Sequence, residues 1–98
     1  MSSTPIALAG RFETDPLITP TAFMAEITLE SGGLLSVKAT GDLADFLADS
    51  NIKRGQHLLA LGQLREKTIE TDGLEETTVW VDLTHTAINH FPDWLLMR

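Results

Sequence analysis

Apolar and polar residues alternate along most of this chain with a period of two, the pattern of half-buried β-strands. Ile6, Leu8 and Gly10 alternate with Ala7 and Ala9, which predicts a first strand ending at Gly10-Arg11. Glu13-Thr14-Asp15-Pro16 reads as a turn, and Thr19-Pro20-Thr21 as a second break. Phe23, Ala25, Ile27 and Leu29 then alternate with Met24, Glu26, Thr28 and Glu30, a second strand with a polar outer face. Ser31-Gly32-Gly33 supplies a tight hairpin turn into a third strand. There Leu35, Val37 and Ala39 fall on one face and Ser36, Lys38 and Thr40 on the other.

The period then changes. Asp42 suits a helix N-cap, with Asp45 three residues on, and both carboxylates favour the positive end of a helix. Leu43, Phe46 and Leu47 lie at i, i+3 and i+4, an apolar stripe able to seal the end of a barrel. Asp49-Ser50-Asn51 closes this short helix, and Arg54-Gly55 turns into a fourth strand. In that strand His57, Leu59 and Leu61 share one face and Leu58, Ala60 and Gly62 the other. A glycine inside a strand predicts a bend or bulge at position 62. Asp72-Gly73 is a strong hairpin signal, and residues 77–88 are β-rich enough for a closing strand. The expectation is an all-β chain: a five-stranded barrel over residues 1–90, with one short α-helix between strands three and four. Residues 91–98 form an apolar C-terminal tail.

Composition narrows the chemistry. The chain has 98 residues, one domain's worth, and no cysteine, which excludes disulfides, thiolate metal sites and cysteine nucleophiles. No apolar run approaches the ~20 residues that span a bilayer, and the N-terminus lacks the basic start and apolar stretch of a secretory signal. A soluble protein of the cytoplasm, not engaged with membrane, is expected. Seven Lys and Arg against fourteen Asp and Glu give a formal charge of −7, which weakens attraction to any polyanion.

Gly10-Arg11 followed by Asp15-Pro16, then Gly41-Asp42-Leu43-Ala44-Asp45, then Gly55 and Gly62-Gln63-Leu64-Arg65, and last Thr77-Thr78 before an apolar run, occur in an order that resembles the bacterial single-stranded-DNA-binding protein family. The similarity runs from about residue 5 to residue 88. It implies the OB fold, a five-stranded Greek-key barrel with a helix plugging one end. It also implies binding of single-stranded DNA, or RNA, without sequence preference, in replication, recombination or repair. A homodimer or homotetramer, and contacts with replication and repair proteins, are implied with it.

In that family aromatic side chains stack on bases while Lys and Arg track phosphates. Carried onto this chain, the groove positions are Leu34, Ser36, Lys38 and Thr40 on the third strand and Arg65, Lys67 and Ile69 on the fourth, with Arg11 from the first as a further cation. Where the family commonly has aromatics this chain has Leu34, Thr40 and Ile69, so Arg11, Lys38, Arg65 and Lys67 become the main candidates and binding is expected to be weak. Glu66, Glu70, Glu75 and Glu76 flank the same hairpin and oppose an anionic ligand. Trp80, between Val79 and Val81, reads as core or subunit contact before base platform; Phe23 reads as core, and Phe12 as either core or exposed. The second reading is an OB barrel without its ligand, acting as a protein-interaction or assembly module through the tail residues Phe91, Trp94, Leu95 and Leu96.

Enzyme chemistry finds no support. His57, His85 and His90 have no metal spacing, Asp82 with His85 reads as polar surface, and no cofactor motif is present. Glu75 and Glu76 are adjacent, so in a strand they point to opposite faces and cannot share an acid–base site.

Overall fold

The computed structural model describes residues 3–88, and the tail residues Phe91, Trp94, Leu95 and Leu96 lie outside them. The elements are β1 (Ser3–Phe12), β2 (Leu17–Ile18), β3 (Ala22–Leu29), β4 (Leu34–Thr40), α1 (Gly41–Asp49), β5 (His57–Thr71) and β6 (Leu74–Ile88). β1, β3, β4, β6 and β5 close into a ring in that order, with β1 pairing both β5 and β3 and with β4 parallel to β6. This is the expected five-stranded OB barrel. β2 is an unanticipated addition, two exposed residues paired with Met24 and Phe23, lying between the turn expected at residues 13–16 and the break expected at residues 19–21.

Alternation decides what lies inside. Phe12, Phe23, Ile27, Val37, Leu58 and Val81 are almost fully buried and form the barrel core. Phe12 and Phe23 meet edge to face with ring centroids 6.4 Å apart, which settles Phe12 as a core residue. β1 crosses from β5 to β3 at Gly10, where a β-carbon would strike the Thr28 carbonyl and stand 2.7 Å from Ile27 Cγ2. The β5–β6 ladder slips between Leu61 and Gly62, the irregularity expected at that glycine. Asp72 and Gly73, both left-handed at φ 53° and 79°, form the two-residue turn of the last hairpin.

The helix differs from expectation in two respects. Thr40, not Asp42, is the N-cap; it makes no side-chain capping bond, and Asp42 sits in the first turn. Ala44 and Leu47 are buried and Leu43 packs against the core, whereas Phe46 is 56% exposed. The sealing stripe is therefore turned toward Ala44, and Ile52, just beyond the helix, completes the plug. Ser50 ends the helix by donating its hydroxyl to the Phe46 carbonyl at 2.7 Å.

β5 and β6 outrun the barrel. Past Arg65 on β5 and before Val81 on β6 they pair, among the described residues, only with each other, an exposed two-stranded arm that lengthens the molecule to 52 Å.

Candidate nucleic-acid interface

The β4–β6 seam is short. Val37 pairs with Val81 and Lys38 with Asp82, and beyond them the arm diverges from β4. A groove of about 460 Å³ opens at this divergence, with Ser36 and Lys38 on one side and Thr78 and Trp80 on the other. Met24 and Glu26 of β3 continue its floor, and Asp15 and Leu17 form a rim. Asp15 is fixed by accepting the Arg54 backbone N–H at 2.8 Å.

Register places the other side chains. Cross-strand partners share a face, so Arg65 opposite Trp80, Lys67 opposite Thr78 and Ile69 opposite Glu76 continue the groove face out along the arm. Glu66, Glu70 and Glu75 face the other way, with Glu70 opposite Glu75. Of the four hairpin glutamates, Glu76 alone shares a face with Lys67. The alternation that separates Glu75 from Glu76 thus gives the arm a mixed face and an acidic face.

Trp80 is the residue that sequence reasoning missed. It is half-buried on the outer face, not in the core. Its indole N–H donates to Asp82 Oδ1 at 2.9 Å, and Asp82 Oδ2 forms a salt bridge with Arg65 Nε. Asp82, read from sequence as polar surface beside His85, instead ties two groove residues together. His85 Nδ1 lies 3.1 Å from the Thr84 hydroxyl. The signal was available: Thr78, Trp80 and Asp82 alternate with Val79, Val81 and Leu83.

The sequence-derived candidates do not all converge. Lys38 and Ser36 line the groove, and Arg65 and Lys67 follow on the same face. Ile69 lies farther out on the arm, 49% exposed, and Thr40 stands at the far end of β4 as the helix N-cap. Arg11 is elsewhere. Its register partners are His57 and Thr28, and it lines a separate depression of about 150 Å³ with Glu13 and Arg54. Glu13 accepts a hydrogen bond from the Thr28 hydroxyl there.

A third surface is apolar. Leu59 and Leu61, 45% and 51% exposed, stand with Ala7 and Ala87 on the outer face of β1, β5 and β6. Among the described residues no group of His, Asp and Glu is placed to hold a metal ion, and no helix is long and apolar enough to cross a membrane.

No protein-family model matches the chain, and no curated protein matches it with significance. Solved structures do. The mitochondrial single-stranded DNA-binding protein Rim1 of S. cerevisiae superposes with a TM-score of 0.75 at 10% identity, covering 90% of this chain and 95% of that one. The small single-stranded DNA-binding protein of Streptomyces coelicolor gives 0.72 at 18% identity, covering 92% and 97%. The chain has the OB fold in the form that these single-stranded DNA-binding proteins take, over nearly its whole length.

Proposed function

We propose that the groove beside Trp80 binds unpaired nucleic acid, single-stranded DNA before RNA, weakly and without sequence preference. The observation that carries this reading is the convergence of one indole with Lys38, Arg65 and Lys67 on a single outer face of an OB barrel. An indole stacks on any base for ~1–3 kcal/mol, and cations read phosphates without reading sequence. Ser36 adds a hydroxyl, while the exposed Ile69 supplies apolar contact where an aromatic would otherwise stack. Weak binding follows from charge. Glu26, Glu76 and Asp82 share the face with the three cations, and the chain as a whole carries −7.

The role that fits is one in replication, recombination or repair in the cytoplasm. The apolar face around Leu59 and Leu61 is assigned to a second copy of the chain, in a homodimer or homotetramer. The tail residues Phe91, Trp94, Leu95 and Leu96 are assigned to contacts with replication or repair proteins. Arg11 stands apart from the groove and is left out of the strand's path.

Anisotropy of a labelled oligothymidine, titrated with the protein at low and at high salt, tests the binding. Saturable binding that weakens steeply with salt is expected. No binding at high micromolar protein in low salt would leave the barrel as a protein-interaction module.

A further inference from the structure

We infer that Leu17 and Met24 form a second base platform, an aliphatic ridge that takes the nucleotide next to the one on Trp80, with Lys38 between them for the intervening phosphate. The inference rests on the reading of the groove as a nucleic-acid site. Register puts Leu17 of β2, Met24 of β3 and Lys38 of β4 in one row across three strands. Partners in a row share a face, so the three side chains stand together on the outside of the barrel. All three line the groove that Trp80 borders from β6.

The barrel core does not account for this ridge. Leu17 is 62% exposed and Met24 half-buried, and neither belongs to the core cluster. β2 has only two residues, yet it is held at both ends. Before it, Asp15 accepts the Arg54 backbone N–H. After it, the Thr19 hydroxyl accepts the Ala22 N–H at 3.0 Å, and the Thr19 N–H donates to the Ala22 carbonyl at 2.9 Å. An apolar side chain fixed in this way loses little conformational freedom when a ligand covers it.

Charge and spacing decide which part of a strand lies there. Asp15 and Glu26 border the ridge and repel phosphate, so the uncharged face of a base fits it and the phosphate falls to Lys38. A base held between two walls needs them ~7 Å apart, twice a ~3.5 Å van der Waals contact. β6 and β2 are three strand steps apart, at ~4.8 Å each, so Trp80 and Leu17 serve successive bases. The bound strand therefore runs from the arm across β4 and β3 to β2.

Binding of a labelled oligothymidine by the full chain is measured across a salt series for the parent, Leu17→Ala, Leu17→Trp and Ile18→Ala. Leu17→Ala is expected to bind roughly 4- to 15-fold more weakly, the equivalent of one to two buried methylenes. Its log–log salt line should run parallel to the parent's, because losing an apolar contact changes no counterion release. Leu17→Trp is expected to bind several-fold more tightly, since an indole stacks where the leucine only packs. Ile18 pairs with Phe23 and lies outside the groove lining, so Ile18→Ala should leave affinity unchanged. Thermal melts establish folding, and Leu17→Trp carries the test if Leu17→Ala does not fold. Unchanged affinity in either Leu17 variant, a flattened salt slope in Leu17→Ala, or an equal loss in Ile18→Ala overturns the inference while the groove stands. Absence of binding by the parent at high micromolar protein in low salt removes the groove reading itself.

Discussion

Gly62 lies so close to Val81 that a β-carbon at position 62 would stand 2.7 Å from Val81 Cγ1, and it would also strike the Asp82 carbonyl. The glycine is what lets β5 and β6 approach at the ladder slip beside the groove. A backbone carbonyl cannot rotate away as a side chain can. Gly62→Ala is expected to cost about 1–3 kcal/mol of stability, as overpacking does, read as a lower urea midpoint. An unchanged midpoint would mean that the strands separate there at no cost.

Trp80 shares its groove with Lys38 and Ser36, and its replacement separates stacking from packing. Trp80→Ala should weaken oligothymidine binding by roughly 5- to 150-fold, the equivalent of ~1–3 kcal/mol, and Trp80→Phe should recover part of that loss. In a Trp94→Phe background the remaining indole reports directly, and its fluorescence should quench on binding. A fluorescence signal indifferent to saturating oligothymidine would take Trp80 out of the interface.

The three groove cations and Arg11 occupy different surfaces, so they should differ in salt response. Lys38→Ala with Lys67→Ala is expected to flatten the log–log salt slope by up to about 1.4, two phosphates' worth. Arg11→Ala should leave slope and affinity unchanged. Equal effects from both variants would mean that the strand wraps past β1 as well.

Much of this architecture was legible in the sequence because strands announce themselves by period two. The inward set Phe23, Ala25, Ile27 and the set Val37, Ala39 are read directly, and Asp72-Gly73 and Gly62 fix the last hairpin and its slip. The helix was harder. Nine residues make two and a half turns, too few for the pattern to choose between Phe46 and Ala44, and the barrel mouth makes the choice. Trp80 was obscured because Val79-Trp80-Val81 is apolar throughout, and the parity is carried only by the polar Thr78 and Asp82 two residues to either side. Pairing of Val81 with Val37 turns Val81 inward and Trp80 outward, a tertiary fact. Arg11 failed to join the other cations for the same reason: its place depends on which strand closes the ring.

Glu70 opposite Glu75 is a like-charge pair on the acidic face of the arm, whereas Glu76 lies on the face of Lys67 and Ile69. Glu70→Gln should stabilise the protein by about 0.2–1 kcal/mol in low salt and leave nucleic-acid affinity nearly unchanged. Glu76→Gln should do the reverse, with tighter binding and little change in melting. Identical binding by the two variants would show that the arm's two faces act on the strand as one field.

Leu59 and Leu61 stand two residues apart on the outer face of β5, beside Ala7 of β1 and Ala87 of β6. Neither leucine contributes to the barrel core, so replacing both by Glu should change monomer stability by no more than about 0.5 kcal/mol per site. In an oligomer built through this face the same change buries two unpaired charges per subunit, and association should be lost. Light scattering coupled to size exclusion is expected to give a multiple of 10.7 kDa for the parent and the monomer mass for the double variant. The variant should still bind a short oligothymidine, because the Lys38–Trp80 groove lies on β4 and β6, away from this face. Long oligothymidine should bind less tightly to it, since linked sites raise avidity through effective concentration. A parent of monomer mass at high micromolar concentration would assign Leu59 and Leu61 to some other partner and leave the groove prediction untouched.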